Sequence, residues 1–264
     1  MVYTADELLI KTDDLRGMHE QSGHYEYRDR VRSIMNGGAN GIGALLGDNA
    51  KNYDTDLPIP NLINSGLEHL AQKLGRMPDI KVDAYADSDR AKNKSEKLER
   101  IVTALDGHSK MDQQMPQAAR WLPGYGFCVW IIRQKMGPDG VLYPHAELRD
   151  PYDCFPGYYG PDQDPKELAL IRLVPNAVIK QMYPAAKLAV DESSQFPSGY
   201  SKFKYHDGYQ RSWGNHLADG TELVEFYDEE GTYVFLPETK QILDFTPNPL
   251  KTGPRFVISK RFSF

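Results

Sequence analysis

The residues whose types and spacing come closest to a reactive site are His206, Asp207, His216 and Asp219. Imidazole and carboxylate groups bind divalent metals, and a metal held this way could activate water in a metal-dependent hydrolase or nuclease. The spacing matches no established zinc motif such as H-E-x-x-H, so polar residues of a long loop are the simpler interpretation. The remaining histidines are scattered along the chain at His19, His24, His69, His108 and His145.

Other patterns that could carry chemistry are also weak. The glycine-rich segment Gly37–Gly47 is not a phosphate-binding loop, because no predicted strand precedes it and no Gly-Lys-Ser/Thr follows it. Cys128 and Cys154 are too few for a disulfide framework or a zinc site, and we predict two buried thiols in a reducing compartment. Asp150 and Asp153 flank a Pro-Tyr turn that their side chains are expected to cap.

These patterns together favour a binding or structural protein over an enzyme. No catalytic, cofactor-binding or metal-binding residue is predicted, and no cofactor is expected. The net charge of -6 argues against a basic nucleic-acid-binding surface, although it allows a protein that nucleic acid slides past. The charged N-terminus does not resemble a signal peptide, and no apolar run has transmembrane length, so we expect the protein to be made in the cytoplasm.

The order of helices and strands predicted from the sequence indicates an α+β fold, with helices packed on small mixed or antiparallel sheets. Its centre is Gln117–Gly160, in which a helix stopped by Pro123-Gly124 leads into the apolar strand Phe127–Ile132 and a hairpin. Residues 1–60 are predicted to form a helical arm and loop, and residues 61–264 one α+β domain.

The remaining predicted elements follow from periodicity and from capping residues. Thr4 and Glu7 form a capping box for the first predicted helix. Gly107 is expected to end the helix predicted at Ser88–Leu105. Residues 190–220 are predicted to form a long loop. The other predicted helices are His24–Met35, Asn61–Leu74, Ser88–Leu105, Lys110–Leu122 and one that starts at Pro175. The other predicted strands are Ile80–Tyr85, Val141–Leu148, Leu168–Val174, Glu222–Tyr227, Thr232–Leu236, Gln241–Phe245 and Arg255–Ser259.

Several segments in this order resemble a known family. They are Tyr25–Arg30 in an N-terminal helix, Asn61–Leu74 closing on Arg76-Met77-Pro78, the turn Leu148–Pro156, and Asn248–Val257. The chain resembles phage portal proteins of the SPP1-like type over nearly its whole length. The resemblance implies the N-terminal wing region of such a protein, whose stem, clip and crown would follow residue 264.

The resemblance also implies a function. Portal subunits form a ring, usually a dodecamer of about twelve copies, at one vertex of the virion capsid. A terminase motor pumps double-stranded DNA through the ring during packaging, and capsid and head–tail adaptor proteins bind it. Assembly takes place in the host cytoplasm, with no membrane and no catalytic turnover. A ring subunit should present an apolar surface on Asn61–Leu74 and Lys110–Leu122 that neighbouring copies cover.

Two alternatives remain open from the sequence. One is a metal-dependent hydrolase or nuclease that uses His206, Asp207 and His216. The other is a capsid or tail adaptor with a similar α+β core, which would assemble only with partners and never close into a ring by itself.

Overall fold

The computed structural model describes residues 3–36, 62–76, 80–137, 140–157, 164–188, 220–248 and 255–260. Helices and small antiparallel sheets make up the described chain, which confirms the predicted α+β class. The helices are α1 (Ala5–Gln21), α2 (His24–Asn36), α3 (Leu62–Leu74), α4 (Asp89–Ser109), α5 (Met111–Tyr125) and α6 (Asn176–Met182). The strands are β1 (Phe127–Met136), β2 (Leu142–Arg149), β3 (Cys154–Pro156), β4 (Leu168–Pro175), β5 (Gly220–Tyr227), β6 (Gly231–Leu236), β7 (Gln241–Pro247) and β8 (Phe256–Lys260).

The chain divides into two compact units that interleave along the sequence. Unit 1 comprises Met1–Met18 and Asp153–Arg255, and it holds a five-stranded sheet in the order β3-β4-β5-β6-β7. Unit 2 comprises His19–Tyr152 and Phe256–Phe264, and it holds a three-stranded sheet in the order β2-β1-β8. The predicted division at residue 60 lies outside the described residues and stays a prediction.

Unit 1 is built on the predicted meander of strands. The turn between β5 and β6 is fixed by Asp228, whose Oδ1 accepts hydrogen bonds from the backbone N–H of Glu230 at 2.9 Å and of Gly231 at 3.0 Å. Phe226 then lies opposite Tyr233 across the two strands, and both side chains are fully buried. The predicted β5–β6 hairpin and the third strand β7 are therefore confirmed.

The first helix of unit 1 begins where its capping residues predict. The Thr4 backbone N–H donates to Glu7 Oε2 at 2.8 Å, and the Glu7 N–H donates to Thr4 Oγ1 at 3.3 Å. This reciprocal pair satisfies amide groups that a helix start leaves without intrahelical partners. An ion pair between Arg16 and Glu222 then joins α1 to β5.

Unit 2 is built on the predicted hairpin of β1 and β2. The junction between α4 and α5 is tied to β2 by Gln114, whose Nε2 donates to the Ala146 carbonyl at 3.0 Å and whose Oε1 accepts from the Leu148 N–H at 2.6 Å. Strand β8 pairs antiparallel with the other edge of β1, with Val129 opposite Ile258. Periodicity predicted a strand here, but it could not identify the partner, which lies far away in the sequence.

The strand predicted at Ile80–Tyr85 is wrong. Residues 80–84 are irregular, and they pair with no strand among the described residues. Alternating side chains give a strand only where a neighbouring strand satisfies the backbone groups. Ile80 and Tyr85 are instead exposed.

Two predicted helix ends are also wrong. Helix α4 continues past Gly107 to Ser109 and turns at Lys110, which adopts left-handed backbone with φ of 51°. Pro123-Gly124 does not stop α5, which continues to Tyr125 and ends at Gly126 with φ of 83°. The missing N–H and the ring of Pro123 affect the preceding turn, while its fixed φ is compatible with a helix, so two further helical residues can follow it.

We predict that Gly75→Ala destabilises unit 2 because the backbone of α5 comes very close to Gly75. A Cβ at this position would lie 2.5 Å from Pro116 Cα, and backbone atoms cannot move aside as a flexible side chain could. The expected loss in the free energy of unfolding is about 1–3 kcal/mol, measured from urea denaturation. Gly66→Ala in α3 is the matched control, since its Cβ meets nothing within 4 Å and should stabilise the helix by up to about 1 kcal/mol. Equal effects of the two changes would contradict the close packing.

Candidate functional site

The residues of the predicted metal cluster are not placed by the structure. His206, Asp207, His216 and Asp219 lie outside the described residues, as does the segment Gly37–Gly47, so the hydrolase hypothesis stays a prediction. Elsewhere in the described ranges, no group of three or more His, Cys, Asp or Glu side chains could hold a metal ion. A search of the same ranges finds no helix with the length and apolarity needed to cross a membrane.

Both cysteines are buried and form no disulfide, as predicted. The Cys128 thiol donates to the Ala118 carbonyl oxygen at 3.4 Å. Burial raises the pKa of Cys128 to about 12, because the thiolate would lose its hydration. A thiol held in its neutral form is a poor nucleophile, and Cys128 is 1% exposed among the core residues.

A buried polar site surrounds Arg28 of α2. Its side chain is only 1% exposed. Nη1 donates to the Pro151 carbonyl oxygen at 3.0 Å, and Nη2 lies 2.6 Å from His19 Nδ1. Because a guanidinium can only donate, His19 Nδ1 is the acceptor in this pair. The guanidinium carbon also lies 5.6 Å from the centroid of the Phe127 ring, which adds a cation–π contact.

A second layer of contacts extends this site to the turn after β2. The Tyr152 hydroxyl donates to Asp29 Oδ1 at 3.2 Å, and the Arg32 guanidinium lies 4.3 Å from the Tyr152 ring centroid. The Tyr152 N–H donates to Asp150 Oδ1 at 3.0 Å, which confirms that Asp150 caps this turn. Burial raises the pKa of the Asp150 carboxyl, and this bond and the charges of Arg32 and Arg28 partly oppose the shift. We call the set of Arg28, His19, Asp29, Arg32, Asp150 and Tyr152 the Arg28 cluster.

The Arg28 cluster binds parts of its own chain and so acts as a structural clamp. It joins α2 to the turn at Asp150-Pro151, which we call the Asp-Pro turn. The sequence did not reveal the clamp, because Arg28 lies in the charged run Tyr25–Arg30 and looks like a solvated residue. Only its tertiary partners, His19 and Pro151, distinguish it from its exposed neighbours.

A second feature of unit 2 is an apolar surface on α3. Leu62 is 75% exposed and Leu74 is 62% exposed, and Ile63 is also exposed. Ile63 and Leu74 lie on one side of the helix, about three turns apart. Leu62 lies at the opposite end of the helix from Leu74 and is rotated from it by about 120°. We call these three exposed side chains the α3 apolar surface, and that neighbouring copies cover it stays a prediction.

The same expectation fails for α5. No large hydrophobic side chain on this helix is among the exposed ones of the described chain. Part of the reason is that α3 itself packs against α5, where Arg120 forms a salt bridge with Glu68 at 3.2 Å. Apolar spacing alone could not distinguish a helix that is covered within one chain from a helix left for a neighbour.

Comparison with known proteins adds no assignment. No protein-family model matches the sequence, and no curated protein matches it significantly. The class that the fold defines is an α+β protein with small antiparallel sheets. The site features that it presents are a structural polar clamp and an uncovered apolar surface, both within unit 2.

We predict that Arg28→Met lowers the free energy of unfolding by about 3–5 kcal/mol. The change leaves His19 Nδ1 and the Pro151 carbonyl without their buried donor, and such losses are among the largest that a single substitution causes. Arg90→Met on α4 of the same unit is the control, because Arg90 is exposed and its loss should cost less than about 0.5 kcal/mol. Urea denaturation followed by circular dichroism measures both, and similar midpoints would contradict the clamp.

We predict that stability falls as the pH rises above the ordinary thiol pKa of about 8.5. The pKa of Cys128 is raised in the folded state, so the folded state holds a proton that the unfolded state releases between that pH and about 12. The Cys128→Ala variant should show a shallower decline in the urea midpoint between about pH 8 and 10. Identical slopes for the wild type and the variant would show that the thiol titrates normally in the fold.

Proposed function

We propose that the protein is a structural subunit that assembles with identical copies into a closed ring, and that it is not an enzyme. The observation that carries this proposal is the α3 apolar surface. Three large aliphatic side chains of one helix are exposed to water, and two of them, Ile63 and Leu74, lie on the same side; exposed apolar area of this kind can mark an interaction site. In a ring, one surface of each copy binds a different surface of the next, which would cover Leu62 and Leu74 in every copy.

The particular ring that we propose is the portal of a tailed phage, the head–tail connector at one capsid vertex. The order of elements supports it, since α2, α3, the β1–β2 hairpin, the Asp-Pro turn and β4 follow one another as the resemblance implies. The Arg28 cluster adds support, because it brings two of the resembling segments into contact.

The mechanism of such a ring is geometric. Double-stranded DNA passes through it during packaging by a terminase and again during ejection, while capsid and adaptor proteins hold the ring in the virion. Each phosphate that a Lys or Arg neutralises adds a salt-dependent attraction that slows the passing DNA. A subunit with a net charge of -6 would keep that attraction weak.

The two alternatives differ from the portal in what they would bind. A hydrolase or nuclease built on His206, Asp207 and His216 would take up a divalent metal and lose activity on His206→Ala without loss of assembly. A capsid or tail adaptor would remain monomeric alone and assemble only when its partner is added. The α3 apolar surface favours neither over a ring of identical copies.

We predict that Leu62→Ser combined with Leu74→Ser weakens assembly without weakening the fold. Burying one such side chain contributes about 1.5–3 kcal/mol, so the loss of two should weaken subunit association about a hundredfold or more. Sedimentation velocity should then show monomers where the wild type forms large particles, with unchanged circular dichroism.

The matched control is Met136→Ser combined with Met182→Ser, since both methionines are exposed and lie on other elements. This control should assemble like the wild type. A double Leu variant that assembles as well as the control would contradict the role of the α3 apolar surface.

A further inference from the structure

One flank of helix α4 carries uncompensated positive charge. Successive residues of an α-helix are rotated by about 100°, so Arg90, Lys94 and Lys97 lie on one side of it. All three side chains are exposed, and none forms an ion pair with another residue in the described part of the chain. Lys94 instead lies 5.9 Å from the ring centroid of the exposed Tyr85. We call these three residues the cationic flank.

The other flank of the same helix carries negative charge. Asp89, Glu96 and Glu99 lie there, and we call them the acidic flank. In the described ranges Asp89 and Glu99 form no ion pair, and Glu96 lies 3.9 Å from Arg100 across an exposed surface. Surface pairs at this distance contribute little, so the carboxylates remain available to a partner. Lys92 and Arg100 also lie on this flank. Asp87 pairs with Lys92 at 2.5 Å and Glu96 faces Arg100, so Asp89 and Glu99 are the carboxylates without an ion pair in the described ranges.

The positive and negative flanks lie on opposite sides of the line along which α4 is buried. Ala91 and Ser109 are the buried residues of α4, so the helix rests on the rest of unit 2 along one narrow line. The two charged flanks lie on either side of that line. The exposed apolar side chains Leu98 and Ile101 continue the cationic flank toward the C-terminal end.

We propose that α4 is a contact between neighbouring copies, in which the cationic flank of one copy binds the acidic flank of α4 in the next. This inference rests on the proposed ring and names the surface that orders its subunits. A helix with opposite charges on its two sides is complementary to a second copy placed beside it in the same orientation. The reverse order would bring like charges together, so the pairing sets the direction of assembly. Leu98 and Ile101 supply apolar area that charge pairs alone would lack.

A polyanion bound by the cationic flank is the main competing interpretation. Three cations on a helix could contact phosphates of a nucleic acid. The acidic flank on the same helix favours a second copy, because it would have no role in binding a polyanion and would repel it.

The test reverses the charge of each flank separately and then of both. Lys94→Glu with Lys97→Glu makes the cationic flank acidic, and Glu96→Lys with Glu99→Lys makes the acidic flank basic. Each variant alone places like charges across every contact, so the concentration for half-maximal assembly in sedimentation velocity should rise about tenfold or more. An equimolar mixture of the two variants, or one chain carrying all four changes, restores complementarity and should assemble within about threefold of the wild type.

Control measurements complete the test. Lys166→Glu with Lys180→Glu changes the same charge at exposed lysines outside α4 and should leave assembly unchanged. If the wild type forms rings and both single-flank variants assemble as well as it does, this inference is overturned. The proposed ring would then still stand. The inference also fails if the equimolar mixture does not recover assembly. It fails as well if the variant with Lys94→Glu and Lys97→Glu assembles normally and loses only its binding to a DNA duplex. A wild type that stays monomeric overturns both proposals.

Discussion

The burial of the Arg28 guanidinium is the constraint on which unit 2 depends most. A charged group removed from water is tolerated only when its donors meet acceptors held in position, because its lost hydration is otherwise uncompensated. Here the acceptors are the Pro151 carbonyl and His19 Nδ1. Helix α2 and the turn after β2 must therefore be in register for Arg28 to be buried. Strand β2 pairs with one edge of β1, and β8 pairs with the other.

The same unit presents the two surfaces from which the functional argument is built. The α3 apolar surface would supply buried area between copies, and the charged flanks of α4 would supply direction. This division of roles is common in protein association, where apolar contacts contribute most of the affinity and charges contribute selectivity and orientation.

Local signals in the sequence were sufficient for much of the fold. The Thr4–Glu7 capping box, the β1–β2 hairpin and the meander of β5, β6 and β7 depend on residues close together in the chain. Each of these elements satisfies its backbone groups within a short stretch, so pattern and propensity suffice to predict it. The predicted capping of the turn by Asp150 is a further case.

What the sequence could not predict depends on contacts between distant residues. The pairing of β1 with β8 and the burial of Arg28 have no local signal, since the same residues would look ordinary in an exposed segment. Ile80–Tyr85 shows the converse, because its alternation suggested a strand although no neighbouring strand lies beside it in the described residues. The apolar spacing of α5 was likewise interpreted as a surface for other copies, whereas α3 packs against this helix.

The most direct test of the central claim is the mass of the native particle, measured by native mass spectrometry of the purified protein at near-physiological salt. We expect one closed assembly of about twelve subunits, without a ladder of open intermediates. A monomer or dimer that persists as the protein concentration is raised would contradict the ring, and with it the portal.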